Sequence, residues 1–363
     1  MLNTLKKDID KELAEFLRSS SIMMSIKRSS PVLYKGIKDF IRRPGKRIRP
    51  ILVVIGYLGY TKRKKPDLRG LIRSSLSMEL LHDFLLIHDD IIDNSETRRG
   101  KPSLHRLFNT KYGAPPADKL GSDLGLIAGD IVFAAAIKEL LSIKENPVHI
   151  NKAVSILADI AAQTGLGEYL DVINDSKGID AITEQDILSM YTLKTAKYTF
   201  EGPLLIGSSL AGANNIETGK ISKLGSFLGQ AFQLQDDLLD IFLSSKDTGK
   251  PAFKDLDESK RTLLIRETYA RSNNTSRKRM QSIFNKKNKT KKDILILLKM
   301  IRTSGSGVYC LGMIKDLILR SKKVVSGLKM NRKYKSILNE FIEKLDKKNI
   351  ILEKRMLKSP ETS

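Results

Sequence analysis

Apolar residues recur at three- and four-residue spacing through 71–92, 124–141, 152–173, 224–242, 294–301 and 308–325, and nowhere alternate for long. That period belongs to helices and not to strands. Turn-rich breaks separate the runs: a charged one at 61–67, a proline loop at 112–118, and polar ones at 174–178, 246–251 and 271–292. The last carries five basic residues between Lys286 and Lys292 and reads as a flexible or inserted segment. None of the breaks reads as a domain linker, and no solenoid period repeats. The pattern therefore predicts one all-α domain over residues 1–363, with 350–363 as a C-terminal tail. Its core helices are apolar on most faces and hence central.

Polar residues interrupt this pattern where chemistry is expected. Asp89, Asp90 and Asp93 stand inside the apolar run 71–92. Asp89 and Asp93, four apart, share a helix face, and Asp90 stands about 100° round. Carboxylates in an apolar helix are costly unless neutralised. A hard cation such as Mg²⁺, which takes oxygen ligands together with phosphate oxygens, would do so. A solvated acidic turn is the other reading of such a triplet taken alone. Arg98, Arg99 and Lys101 follow, and cations so close to a carboxylate–Mg²⁺ cluster make sense only if an anion lies between them. Two turns before Asp89, His82 falls on nearly the same stripe, either as a ligand contact or as a core histidine. Phe84, five residues before Asp89, would lie roughly 7.5 Å deeper along the axis.

The same device returns at Asp236, Asp237 and Asp240, 147 residues later and again inside an apolar helix. Two such segments can hold a Mg²⁺ cluster around one diphosphate, which neither can do alone. Lys250 and Lys260 follow it, again acids and then cations. Upstream, four cations lie among the seven residues before Pro50, beside Pro44 and Gly45. This is either an anion cradle or a basic surface loop. Lys194 and Thr195 could bond a phosphate, or Lys194 could be a surface lysine. Glu168 and Asp171 share a face after two glycines. Asp130 reads as an acid at a helix start.

Charge sharpens the picture. The net +23 is uneven: residues 251–363 hold 29 Lys and Arg against 11 Asp and Glu, or +18, leaving +5 for the first 250. A basic third suits nucleic acid, an anionic membrane surface, or a solvated lysine-rich helical face. Aromatic residues are only 6% of the chain, with no Trp, which leaves little to stack bases on. No stretch of about 18 uninterrupted apolar residues occurs, so no membrane span is expected. The first residues mix acids and bases, unlike a signal peptide. A single cysteine, Cys310, excludes an internal disulfide framework and fits a reducing cytoplasm.

Gly-Lys-Arg-Ile-Arg-Pro at 45–50, the aspartate triplet at 89–93 with Arg98-Arg99-Gly100, Lys194-Thr195, and the second triplet at 236–240 occur in this order in trans-isoprenyl diphosphate synthases. From about residue 30 to 325 the chain resembles the short-chain members of that family, the farnesyl and geranylgeranyl diphosphate synthases. The resemblance implies a helical bundle of the isoprenoid synthase type, with a central cavity between two Asp-rich helices, in a cytoplasmic homodimer. It implies head-to-tail condensation of isopentenyl diphosphate with dimethylallyl, geranyl or farnesyl diphosphate. Asp89, Asp93 and Asp236 would hold Mg²⁺, with Asp90, Asp237 and Asp240 as supporting acids. Arg98, Lys194, Thr195, Gln233, Lys250 and Lys260 would contact the allylic diphosphate. Lys46, Arg49, His82 and Arg99 would bind isopentenyl diphosphate, and Phe84 with Leu85 would set a C20 product, with C15 as the runner-up. Pro44 stands where a glycine is usual in this family, Glu168 where a glutamine is usual, and Lys254 and Ser259 where glycine is frequent. A class I terpene cyclase and a catalytically silent subunit of a heteromeric synthase are the rival readings. The first would want more aromatic residues and the second fewer aspartates.

Overall fold

The computed structural model describes residues 1–115, 119–243 and 253–357. In chain order the helices are α1 (Leu2–Ser19), α2 (Ser21–Ser29), α3 (Pro31–Arg42), α4 (Ile48–Tyr60), α5 (Leu68–Ile92), α6 (Leu104–Lys111), α7 (Lys119–Leu140) and α8 (Pro147–Ser176). After a short 3₁₀ turn come α9 (Glu184–Tyr191), a π-helix over Thr192–Glu201, α10 (Gly202–Leu210) and α11 (Asn215–Phe242). Then follow α12 (Lys254–Asp257), α13 (Leu263–Arg271), α14 (Asn274–Phe284), α15 (Lys291–Ser304), α16 (Ser306–Gly327) and α17 (Arg332–Leu357). Among the described residues the only strands are β1 (Thr97–Arg98) and β2 (Lys101–Pro102), a two-stranded antiparallel hairpin. The all-α reading holds.

Contacts divide the chain into two compact units, Met1–Ala161 with Gly202–Thr218 and Ala162–Glu201 with Gly219–Ser363. Their boundaries fall inside α8, at the junction of the π-helix with α10, and inside α11. In the first unit α5 is the central element. The Asp67 side chain caps it by accepting from the Gly70 N–H, and its residues are buried on nearly all faces from Leu71 to Asp83. It packs on α7, where a Cβ on Gly125 or Gly129 would run into the Ile91 or His88 side chain, at 2.8 and 2.4 Å. α4 crosses α10 closely, since a Cβ on Gly56 or Gly207 would fall within 2.6 Å of the facing backbone. In the second unit α16 packs on α17 and on α13.

Three boundaries differ from the sequence expectation. Half of the 271–292 segment is the helix α14, because Asn273 caps it and Met280, Ile283 and Phe284 supply a buried face that the nearby lysine run masks. Residues 350–357 of the expected tail continue α17, with Leu352 fully buried. Finally, α7 begins at Lys119, so Asp130 lies in its middle and is no helix-start acid. By length and composition α7 could cross a membrane, although 39% of its most apolar stretch is buried inside the protein.

Candidate active site

The first unit gathers the N-terminal half of the expected residues. At the C-terminal end of α5, Asp89 and Asp93 are half-buried and Asp90 is fully buried. The hairpin that follows is closed by Arg99 and Gly100, both at positive φ, 53° and 74°. This two-residue turn with both central residues left-handed matches the twist of the strands. It also separates two adjacent arginines. Arg98 turns back to α5, donating its Nε to Asp90 Oδ1 and an Nη to Asp89 Oδ2, both at 2.7 Å. Arg99 instead reaches the 43–49 loop, donating to the Arg43 carbonyl at 3.3 Å. Its guanidinium also lies 3.5 Å from His82 Nε2. Burial, and then the charges of Arg49 and Arg99, hold His82 well below its usual pKa, so it is a neutral imidazole in a cationic pocket.

Arg98 therefore neutralises the aspartates directly. The hairpin is short enough to fold the guanidinium onto the helix that precedes it. Of the cations at 43–49, Arg47 is structural. It is 4% exposed and donates to Asp10 and Glu79. Arg43 is 2% exposed and spans Asp39 and the Arg98 and Pro102 carbonyls, tying the end of α3 to the hairpin. Lys46 stays exposed and Arg49 half-buried. Asp83 is buried with no hydrogen-bond partner for either oxygen, and burial, with Glu79 nearby, pushes its carboxyl well up. Phe84 stacks on Phe133 of α7, with ring centroids 5.0 Å apart, and meets His88 edge-on at 4.6 Å.

In the second unit, Lys194 and Thr195 lie on the π-helix, a widened turn frequent at functional sites. Gly167 and Gly229 let α8 and α11 approach it, since a Cβ on either would fall within 2.3 Å of its atoms. Lys194 Nζ bonds Glu168 at 2.7 Å and Asp171 at 2.8 Å. Lys260 bonds Asp171 at 3.2 Å and Asp175 at 3.0 Å, so two lysines 66 residues apart share one carboxylate. Burial opposes ionisation of Asp171, but the two ammonium groups win and hold its pKa below the usual value. Thr195 donates to Gln233 at 2.8 Å, Gln233 donates to Asp237 at 2.9 Å, and Tyr191 donates to the other oxygen of Asp237. Asp237 is thus spent on orienting its neighbours, while Asp236 and Asp240 remain half-buried. Asp240 accepts from the Asp255 backbone at 3.2 Å. Burial, then Asp237, Asp240 and Asp236, push the Asp255 carboxyl well up, the mark of concentrated negative charge.

The polyprenyl synthetase family model matches residues 30–301. The chain belongs to the polyprenyl synthetase family. It is 30% identical over 272 residues to a short chain isoprenyl diphosphate synthase of Methanocaldococcus jannaschii, covering 75% of this chain and 77% of that protein. It is 32% identical over 275 residues to a geranylgeranyl diphosphate synthase of Sulfolobus acidocaldarius, with the same coverage. A crystal structure of the Corynebacterium glutamicum geranylgeranyl pyrophosphate synthase, complexed with isoprenyl diphosphate and magnesium, superposes with a TM-score of 0.87. That match is at 25% identity and covers 96% of this chain and 99% of the other. This polyprenyl synthetase is accordingly a prenyltransferase that condenses prenyl chains.

The donor set of this polyprenyl synthetase fits Mg²⁺. Among the described residues no three His, Cys, Asp or Glu donors converge as a ready cage. Mg²⁺ instead takes one or two carboxylates and completes its octahedron with water and substrate phosphate. Half-buried Asp89 and Asp93 on α5, and Asp236 and Asp240 on α11, are carboxylates of that kind. Lys250 lies outside the described residues. Sequence reasoning gave Tyr191, Asp175, Asp255 and Phe133 no role. Each is a common residue type without a motif, and only packing within its own unit gives it the contacts described above. Glu168 has a visible consequence, a second carboxylate on Lys194. Glu168→Gln should lower the KM for the allylic diphosphate by about two- to tenfold, because one of the carboxylates on Lys194, proposed below to contact that diphosphate, loses its repelling charge. Steady-state kinetics with the allylic substrate varied would show it.

Proposed function

We propose that this enzyme joins isopentenyl diphosphate to an allylic diphosphate, head to tail, with geranylgeranyl diphosphate as its main product. The observation that carries the reading is the split of Arg98 and Arg99, one to the first aspartate triplet and the other to the His82 pocket. Mg²⁺ held by Asp89, Asp93 and Asp236, with Asp90 and Asp240 in support, would stabilise the leaving diphosphate as the allylic C–O bond ionises. Arg98 then exchanges a carboxylate for a phosphate oxygen, and Lys194, Thr195, Gln233, Lys250 and Lys260 bond the same group. Lys46, Arg49 and Arg99 take the isopentenyl diphosphate, to which neutral His82 donates an N–H without adding charge. Apolar walls keep water from the carbocation. The isopentenyl double bond attacks it, and the proton lost goes to the departed diphosphate. Phe84 and Leu85, with Phe133 behind, stop the growing chain. The exposed Leu120, Leu126 and Ile127 on α7 suit a second copy of the chain. The lone buried Cys310 suits the cytoplasm.

The test is incubation of the purified protein with Mg²⁺, isopentenyl diphosphate and each of dimethylallyl, geranyl and farnesyl diphosphate, followed by sizing of the products. A C20 main product and loss of all turnover on chelation are expected. Consumption of an allylic diphosphate without isopentenyl diphosphate would instead identify a cyclase.

A further inference from the structure

A second basic site lies on the first unit, outside the residues assigned above. Lys35, Lys38 and Arg42 follow one another at spacings of three and four along α3, so they form a single stripe. They line a cavity of about 540 Å³ together with Tyr34, Asp39, Arg43 and Lys101. That volume lies within the usual range of small-ligand sites. Five cations face one carboxylate there. Asp39 is already engaged by Lys101 and Arg43, and no carboxylate among the described residues pairs with Lys35, Lys38 or Arg42. Such an uncompensated concave cluster attracts a multiply charged anion. Arg43, 2% exposed and held over the Phe40 ring at 4.9 Å, is a fixed charge in its wall.

We propose that this cavity binds a diphosphate group, as the free anion or as the head of a prenyl chain, and passes its occupancy to the hairpin. Lysines and arginines at this spacing match several phosphate oxygens at once, and more of them than a single phosphate offers. The link is Arg43. Its guanidinium donates to the Arg98 and Pro102 carbonyls, at 3.0 and 2.8 Å, and its own carbonyl accepts from Arg99. A diphosphate competing with Asp39 for Lys101, beside the fixed charge of Arg43, therefore pulls on the second strand of the hairpin that carries Arg98 and Arg99. The binding site stands on these contacts alone. Its regulatory sense rests on the proposed function, in which each condensation releases one diphosphate.

The experiment is calorimetric titration of the full chain, without Mg²⁺, using inorganic diphosphate and, separately, farnesyl thiolodiphosphate. The proteins are the wild type, Lys38→Glu/Arg42→Glu, and a charge-matched control, Lys64→Glu/Lys65→Glu, on an exposed loop. One class of sites should weaken at least about tenfold in the α3 variant and persist in the control. The ligand that reports the loss identifies the source, the free anion or the prenylated one. Equal stoichiometry and affinity in all three proteins, equal losses in both variants, or equally tight binding of orthophosphate would overturn the proposal. The α3 variant should keep the wild-type initial rate within about twofold at low diphosphate, while losing the inhibition by added diphosphate that saturating substrates cannot relieve. Binding is read without turnover, so failure of the proposed reaction and failure of this site are separate results.

Discussion

Replacement of Asp89 or Asp236 by alanine should abolish turnover, with kcat falling roughly a thousandfold or more. The reasoning is electrostatic. Ionisation of an allylic C–O bond puts negative charge on a diphosphate, and each aspartate is proposed to hold a cation that stabilises it. Losing about 4 kcal/mol of that stabilisation corresponds to about three powers of ten in rate. Asp89 and Asp236 are half-buried and lie toward helix ends, so neither substitution removes core packing, and circular dichroism should be unchanged. Asp237→Ala should behave differently. Its carboxyl is buried against Tyr191 and Gln233, and removal strips both of their acceptor, so thermal stability should fall along with activity. Near-normal rates for Asp89→Ala or Asp236→Ala would overturn the mechanism.

Phe84→Ala should lengthen the product by at least one isoprene unit. The ring lies one and a half turns below Asp89 on α5, stacked on Phe133 and edge-on to His88. Removing it opens the space into which the alkyl chain is proposed to descend. The Phe133 ring remains behind, so the double replacement Phe84→Ala/Phe133→Ala should lengthen the product further. Chromatography of the dephosphorylated alcohols reads both. An unchanged product length from Phe84→Ala would show that the floor lies elsewhere.

The basic sequence at 43–49 shows where sequence reading runs short. All of its cations look alike along the chain, yet Arg47 is locked to Asp10 and Glu79, Arg43 ties α3 to the hairpin, and Lys46 stays exposed. Burial separates them, and burial is a property of packing. The 271–292 segment misleads for a related reason. Its lysines mask a helix whose apolar face is only three residues wide, Met280, Ile283 and Phe284. Glu168 stood out from the sequence as an unusual charge, but its partner Lys194, 26 residues on, is found only once the π-helix lies against α8.

The sequence by itself determined the helical class, through the three-and-four period, and the diphosphate chemistry, through two aspartate triplets too alike to be chance. The helical period and each triplet are local signals, carried by residues within a few turns of one another. Tertiary structure decided what each of these charges meets. It turned Arg98 onto Asp89 and Asp90 and Arg99 toward His82, joined Lys194 and Lys260 through Asp171, and set Phe133 behind Phe84. Those outcomes depend on the left-handed turn at Arg99–Gly100 and on the glycines that admit close backbones. The energy of a charge is set by whatever surrounds it in space, and its neighbours along the chain fix only a part of that.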